Sequence, residues 1–199
     1  MIYIYTSIDT HMSQLFYVVG ASGVGKDSLM DYARTHINGS RPLLFAHRYI
    51  TRPAKEGNEN HIYISPEEFS LRKDNGLFAL HWTSHGLSYG IGREIDTWMD
   101  KGLNVVVNGS RQYLPVAAER YPNLVTVVIE ADPEIIRQRL ENRGRESTME
   151  IQQRIQRQPS ITATATGYIS IRNDGPLEEG GNALIAAFTA SGPDSSKNL

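Results

Sequence analysis

Residues 18–30 of this chain read VVGASGVGKDSLM. Gly20, Gly25 and Lys26 stand at the spacing of a phosphate-binding loop, G-x-x-x-x-G-K-[ST], but Asp27 occupies the place of the expected hydroxyl. Just upstream, Leu15 to Val19 is a short apolar run stopped by glycine, which predicts a buried strand. Downstream, Leu29, Ala33 and Ile37 fall four apart, which predicts a helix from about Lys26 to the Asn38-Gly39 stop. Strand, glycine loop and helix in that order are the context the motif requires. A glycine-rich turn capping an ordinary helix is the alternative.

In the functional reading, Gly20, Ala21, Ser22, Gly23, Val24 and Gly25 turn backbone N–H groups toward an anion. The helix N-terminus adds partial positive charge, and Lys26 reaches the β- and γ-phosphates of ATP. Asp27 would repel those phosphates if it faced them directly. A hard Mg²⁺ between them reverses the sign, because it takes carboxylate oxygen as readily as hydroxyl or water. Asp27 then binds Mg²⁺ directly or through water, or Ser28 supplies the hydroxyl while Asp27 caps the helix.

The rest of the chain is that of an ordinary globular protein. At 199 residues, 40% hydrophobic and 21% charged, it fits one domain with a real core. A net charge of −2 gives no sign of a nucleic-acid or membrane-surface binder. The absence of cysteine excludes disulfides and thiolate metal sites and fits a reducing, cytoplasmic location. No apolar run approaches the roughly 18 residues needed to span a bilayer, and MIYIYTSIDTH lacks the features of a secretory signal. Met12 opens MSQLFYVVG, so residues 1–11 are expected to be a dispensable extension, with an edge strand formed by IYIY as the alternative. Residues 12–190 form the expected single domain, and SGPDSSKNL (191–199) a flexible tail.

Strands alternate with helices along that domain. LLFAHRYIT (43–51) reads as one strand region and Ile62 to Ser65 as another. Ser65-Pro66-Glu67-Glu68 reads as a helix start, and Asp96 to Lys101 lies in a second helix. Asn104 to Val107 and Leu124 to Glu130 read as strands, Asp132-Pro133 as the cap of a helix interrupted by Gly144. Ser147 with Glu150 makes a capping box. Tyr168 to Ile171 is a last strand and Ala183 to Ala190 a closing helix, while residues 160–167 have no clear pattern. The fold class is α/β with a mainly parallel sheet.

Two groups of cations suit a second phosphorylated substrate. Arg48, Arg52 and Lys55 lie in HRYITRPAK, Arg93 follows the expected loop SYGIGR, and Arg111 closes NGSR. The segment from Glu134 to Arg157 holds arginines 137, 139, 143, 145, 154 and 157 among four glutamates. Guanidinium forks match phosphate oxygens bidentately, although alternating charge is also the pattern of a solvated helical face. Arg143 and Arg145 flank Gly144 and are the better candidates for a hinged lid. His11, His36, His47, His61, His81 and His85 have no zinc-site spacing. His61, inside the expected acceptor region, is the one singled out.

These stretches resemble guanylate kinase. RYITRPAKEGNENHIYIS is similar to that family's acceptor-binding segment, SYGIGR to its Tyr-Gly turn, RLENRGRES to its arginine lid and RNDG to the turn near its adenine site. The resemblance implies a P-loop, nucleoside-monophosphate-kinase-like parallel sheet flanked by helices. It also implies an acceptor-binding subdomain at about 43–95 and a lid at about 134–158, and it adds Tyr89 to the acceptor residues and Asn173 and Asp174 to the ATP-binding ones. The guanine-reading acids are missing, however. Their counterparts are Leu80 and Asn108, which leave guanine's donors without partners.

A fuller resemblance runs from about Leu15 to Phe188. GASGVGKDS, AHRYITR, ENHI, VVVNGSR, RQRLENRGRES and NDG together resemble the ribose 1,5-bisphosphate phosphokinases, a family that carries aspartate after the loop lysine. The resemblance implies transfer of the ATP γ-phosphate to the 1-phosphate of ribose 1,5-bisphosphate. The acceptor oxygen is already ionised, so no general base is needed, and catalysis rests on positioning and charge neutralisation. Lys26, Mg²⁺, Arg143, Arg145 and Arg154 are then expected at the transferred group, Arg52 and Arg111 at acceptor phosphates, and Asn108 at a ribose hydroxyl. A relaxed nucleoside monophosphate kinase and a non-catalytic binding module are the alternatives. The expected partners are small molecules, with neither nucleic acid nor membrane, and a homodimer stays open.

Overall fold

The structure is a computed structural model that describes residues 13–38, 42–53, 61–144, 149, 151–152 and 167–190. The expectations placed on residues 1–11, Lys55, the Ser147–Glu150 capping box, Arg145, Arg154, Arg157 and the tail lie outside these residues.

Five parallel strands make the main sheet. They are β1 (Leu15–Gly20), β2 (Leu43–Phe45), β7 (Asn104–Asn108), β8 (Val125–Glu130) and β9 (Ile169–Arg172), in the order β2-β7-β1-β8-β9. The three central strands are mainly apolar and rich in valine because both faces of the sheet are covered. One face packs on α1 (Lys26–His36), α5 (Pro133–Arg143) and α6 (Leu177–Thr189), through Leu29, Met30, Ala33, Ile136, Leu140 and Leu184. The other meets α3 (Glu94–Asp100), α4 (Leu114–Arg120) and the second sheet, through Tyr17, Val107, Leu80, Ile95 and Leu114.

That second sheet has four strands and was only partly legible. β3 (Arg48–Ile50), β4 (His61–Tyr63), β5 (Phe78–Ser84) and β6 (Leu87–Gly92) stand in the order β4-β3-β6-β5, with β3–β4 parallel and the other pairs antiparallel. LLFAHRYIT is therefore not one strand region. It crosses between sheets at Ala46-His47, so the second sheet begins at Arg48. SYGIG is not a loop either but strand β6, hairpinned to β5 by His85-Gly86, both with positive φ (50 and 74). A two-residue turn of this kind matches the twist of its strands. Between β4 and β5 lies α2 (Pro66–Asp74), whose expected cap is present: Ser65 Oγ accepts from the Glu68 N–H at 3.1 Å.

The closing helix begins six residues before the expected start, at Leu177 instead of Ala183. Gly180-Gly181 lies where α6 crosses α1. A Cβ on Gly181 would lie 2.1 Å from the Tyr32 ring. α4 was not anticipated, because Pro115 within LPVAAER masks a short helix that accepts proline in its first turn.

Candidate active site

The glycine loop sits where the motif requires, between β1 and α1, with the end of β7 beside it. Val18 of β1 is in register with Asn108 of β7, so Asn108 emerges next to the loop at the C-terminal edge of the sheet, the usual ligand-binding edge of parallel sheets. Three side chains meet there. The Lys26 ammonium donates to Asn108 Oδ1, and Asn108 Nδ2 donates to Asp27 Oδ1 at 2.9 Å. Lys26 Nζ also lies 3.2 Å from Asp27 Oδ1. The neighbours dictate the amide's orientation, since its oxygen must face the ammonium and its nitrogen the carboxylate. A carboxylate at 108 would instead oppose Asp27. Aspartate after the loop lysine and a neutral amide at the end of β7 therefore belong together electrostatically.

Burial pushes the Asp27 carboxyl up, but the Lys26 and Arg48 charges and the hydrogen bonds from Asn108 and Lys26 outweigh it and hold the group down to about 2. Asp27 is thus an anion at neutral pH, and its side chain keeps 48% exposure while that of Lys26 keeps 13%. Ser28, next on α1, is exposed. A half-exposed carboxylate beside an exposed hydroxyl is a hard oxygen donor set of the kind Mg²⁺ accepts. Among the described residues, no group of three or more His, Asp or Glu forms a separate metal cluster.

The NGSR turn after β7 is held by Tyr17, which looks from sequence like plain core. Its ring is fully buried. The hydroxyl accepts from the Ser110 N–H at 3.0 Å and donates to the Ser110 carbonyl at 3.1 Å. Gly109 is required by that contact, because a Cβ there would stand 2.2 Å from the Tyr17 ring. Arg111 follows, half-buried, with its pKa lowered by burial.

Across from the loop, Arg48 on β3 lies 5.2 Å over the Tyr89 ring, a cation–π arrangement. Its charge reaches both Asp27 and Tyr17, so the second sheet contributes directly to the loop's electrostatics. Tyr89 stacks on Trp82 at 5.5 Å and Trp82 tilts against Tyr113 at 5.6 Å, an aromatic floor that no sequence motif announced. Arg48 is in register with His61, whose Nε2 meets the Arg52 carbonyl at 3.1 Å. Arg48, His61 and Tyr89 therefore gather on the second sheet, with Arg52 just beyond the end of β3. Leu80 is fully buried in the core.

The RNDG turn lies behind the loop. Asn173 is only 4% exposed, and its Nδ2 donates to the Val24 carbonyl at 2.7 Å. Asn173, expected among the residues touching ATP, thus meets the loop at the Val24 carbonyl. Asp174 accepts from the Asp132 N–H at 2.7 Å and pairs with Arg172 at 2.6 Å. It thereby ties the turn to the start of α5, where Asp132 caps the helix by accepting from Glu134 N–H at 2.8 Å. Arg139 of α5, passed over among the six arginines, also donates to the Val24 carbonyl, at 3.1 Å. Arg143 is the last residue of α5, followed by Gly144 in the left-handed conformation. Arg93, grouped with the acceptor cations on sequence, pairs with Asp96 at 3.5 Å.

No family model matches the chain. It is 52% identical over 184 residues to the ribose 1,5-bisphosphate phosphokinase PhnN of Desulfomicrobium baculatum, covering 91% of this chain and 98% of that one. It is 48% identical to the protein of the same name from Thiobacillus denitrificans, over 92% of this chain and 96% of that one. Among solved structures it is similar in fold to guanylate kinase from Anaplasma phagocytophilum, with a TM-score of 0.64 at 18% identity, covering 92% of this chain and 88% of that one. The parallel sheet, the glycine loop with its lysine and the similarity along nine-tenths of the chain converge: this chain belongs to the ribose 1,5-bisphosphate phosphokinase family.

Proposed function

We propose that this protein is an ATP-dependent kinase that phosphorylates the 1-phosphate of ribose 1,5-bisphosphate, giving 5-phosphoribosyl 1-diphosphate and ADP. The observation that carries the reading is the Lys26–Asn108–Asp27 cluster facing the Arg48 side of the second sheet. It combines a phosphate loop with a cation-rich acceptor side in which Leu80 and Asn108 offer no base-reading carboxylate. The names of the relatives point to the same acceptor.

In this reading the loop N–H groups and Lys26 bind the ATP phosphates. Asp27 and Ser28 would hold Mg²⁺, which would supply charge neutralisation on the phosphate oxygens. Arg48, Arg52 and Arg111, with Lys55, His61, Tyr89 and Asn108, orient the sugar bisphosphate so that its 1-phosphate oxygen lies in line with the γ-phosphorus. A P–O bond forms there, the bond from the γ-phosphorus to the β–γ bridging oxygen breaks, and ADP leaves with that electron pair. The attacking oxygen is already ionised, so no proton moves in the step. Arg143, Arg145 and Arg154 belong to a lid over the transferred group, and the reaction runs in the cytoplasm on small-molecule substrates.

The test is direct. Purified protein is incubated with Mg-ATP and either ribose 1,5-bisphosphate or GMP, and the product is identified. Phosphoribosyl diphosphate with little GDP is the expected result. GDP as the main product would move the protein to nucleoside monophosphate kinases, and turnover of neither acceptor would leave the reading without its substrate.

A further inference from the structure

We infer that Asn173 and Arg139 are positioning residues that fix the direction of the Gly25 N–H, and with it the loop's grip on the polyphosphate. The inference rests on the ATP reading of the loop. The Val24 carbonyl accepts from Asn173 Nδ2 at 2.7 Å and from Arg139 Nη1 at 3.1 Å. The described chain has no cis peptide bond. In a planar trans peptide the C=O and the following N–H point in opposite directions. Two donors pulling the Val24 oxygen backward therefore turn the Gly25 N–H forward, into the concave side of the loop, next to the start of α1.

The anchor is rigid. Asn173 is 4% exposed, and its own N–H donates to the Glu130 carbonyl at 2.8 Å, which pins it to the end of β8. Gly25 is shaped to receive it. Its φ of 88° is left-handed, and a Cβ would lie 2.5 Å from Asn173 Nδ2. Arg139 reaches the same oxygen from α5, the helix capped by Gly144. Neither residue needs to touch the nucleotide to control it.

Binding of Mg-ATP and of Mg-tripolyphosphate, which has the phosphates but no nucleoside, separates this role from direct contact. In Asn173→Asp the donor becomes an acceptor facing a carbonyl, and both ligands should bind about tenfold more weakly, as for the loss of one oriented hydrogen bond. Arg139→Gln should weaken both about threefold, Arg139→Lys should recover most of that, and the KM for ribose 1,5-bisphosphate should stay put. Loss of ATP affinity with tripolyphosphate unchanged would mean a nucleoside contact and overturn the inference. So would wild-type affinity for both ligands in the folded variants. If Asn173→Asp does not fold, the Arg139 pair carries the test alone. Wild-type protein that binds neither ligand would overturn the ATP reading itself, a failure distinct from variants that bind as well as wild type.

Discussion

The two sheets of this protein carry their polar groups in different ways. The five-stranded sheet presents backbone: a glycine loop and a helix N-terminus, with one lysine, set between strands whose pairing leaves them no freedom. The four-stranded sheet presents side chains: Arg48 over Tyr89, Arg52 beside His61, with an aromatic stack beneath. Backbone recognition depends on geometry and tolerates few changes, whereas side-chain recognition can be retuned one residue at a time. The glycine loop keeps the general phosphate-loop pattern, while Leu80 of β5 and Asn108 at the end of β7, one on each sheet, stand where the guanylate kinase resemblance expects acids.

The comparison can be broken first at its strongest point. Lys26→Ala should lower kcat by about 10²–10³ with little change in melting temperature, as for removal of one preorganised charge at a transferring group. A loss confined to KM would mean that Lys26 binds the ground state only. The next largest effect is on stability. Gly109→Ala drives a methyl into the Tyr17 ring, 2.2 Å away, and should cost about 2–3 kcal/mol, visible as a melting temperature lower by roughly 5–10 °C. An unchanged melt would show that the NGSR turn is looser than its hydrogen bonds to Tyr17 imply.

Arg111→Ala, in the turn after β7, comes next. It should raise the KM for the sugar bisphosphate, or lower kcat, about tenfold, roughly 1.4 kcal/mol, while leaving the KM for ATP alone. Wild-type kinetics would remove Arg111 from the site. A smaller effect concerns Asp27, held at about 2 against an ordinary 3.8. A carboxyl with a depressed pKa contributes stability above its ordinary value and loses it as pH falls through the folded value. In metal-free protein, the stability difference between wild type and Asp27→Asn should therefore shrink between about pH 4 and pH 2. Solvent screening of this half-exposed group limits that change to about 1 kcal/mol or less. A gap that stays constant over the range would show that Asp27's partners do not lower its pKa in solution. Last and smallest, His85→Asn should stabilise the β5–β6 hairpin by about 0.5 kcal/mol, because asparagine tolerates the left-handed turn position better. Loss of stability instead would mean that the imidazole makes contacts that matter more than the backbone.

How far the molecule was legible depended on whether a local signal existed. The first strand, the glycine loop and the first helix were readable because each carries its own chemistry: an apolar run, glycines at set spacing, a four-residue period. Ser65 and Asp132 were readable as caps for the same reason, and both accept the expected N–H. β6 was misread as a loop because SYGIG carries two glycines, and only its pairing with β3 and β5 makes it a strand. The start of α6 was missed because Gly180-Gly181 looks like a break, whereas close packing on Tyr32 and Leu29 is what the pair permits. On sequence Lys26 and Asp27 were assigned to the ATP side and Asn108 to the acceptor, and nothing in sequence says that the amide would join the other two.

By itself the sequence determined the α/β class and the phosphate loop, since these follow from residue type and spacing along a few turns of chain, while its resemblance to guanylate kinase implied that the guanine-reading acids are missing. Only the tertiary structure decided that Tyr17 anchors Ser110, that Arg48 reaches across to Asp27, and that Asn173 and Arg139 meet at one carbonyl. Those contacts join residues up to 149 positions apart. Side chains so distant along the chain meet only because the packing of sheet against helix brings them together, and no local pattern records such a meeting.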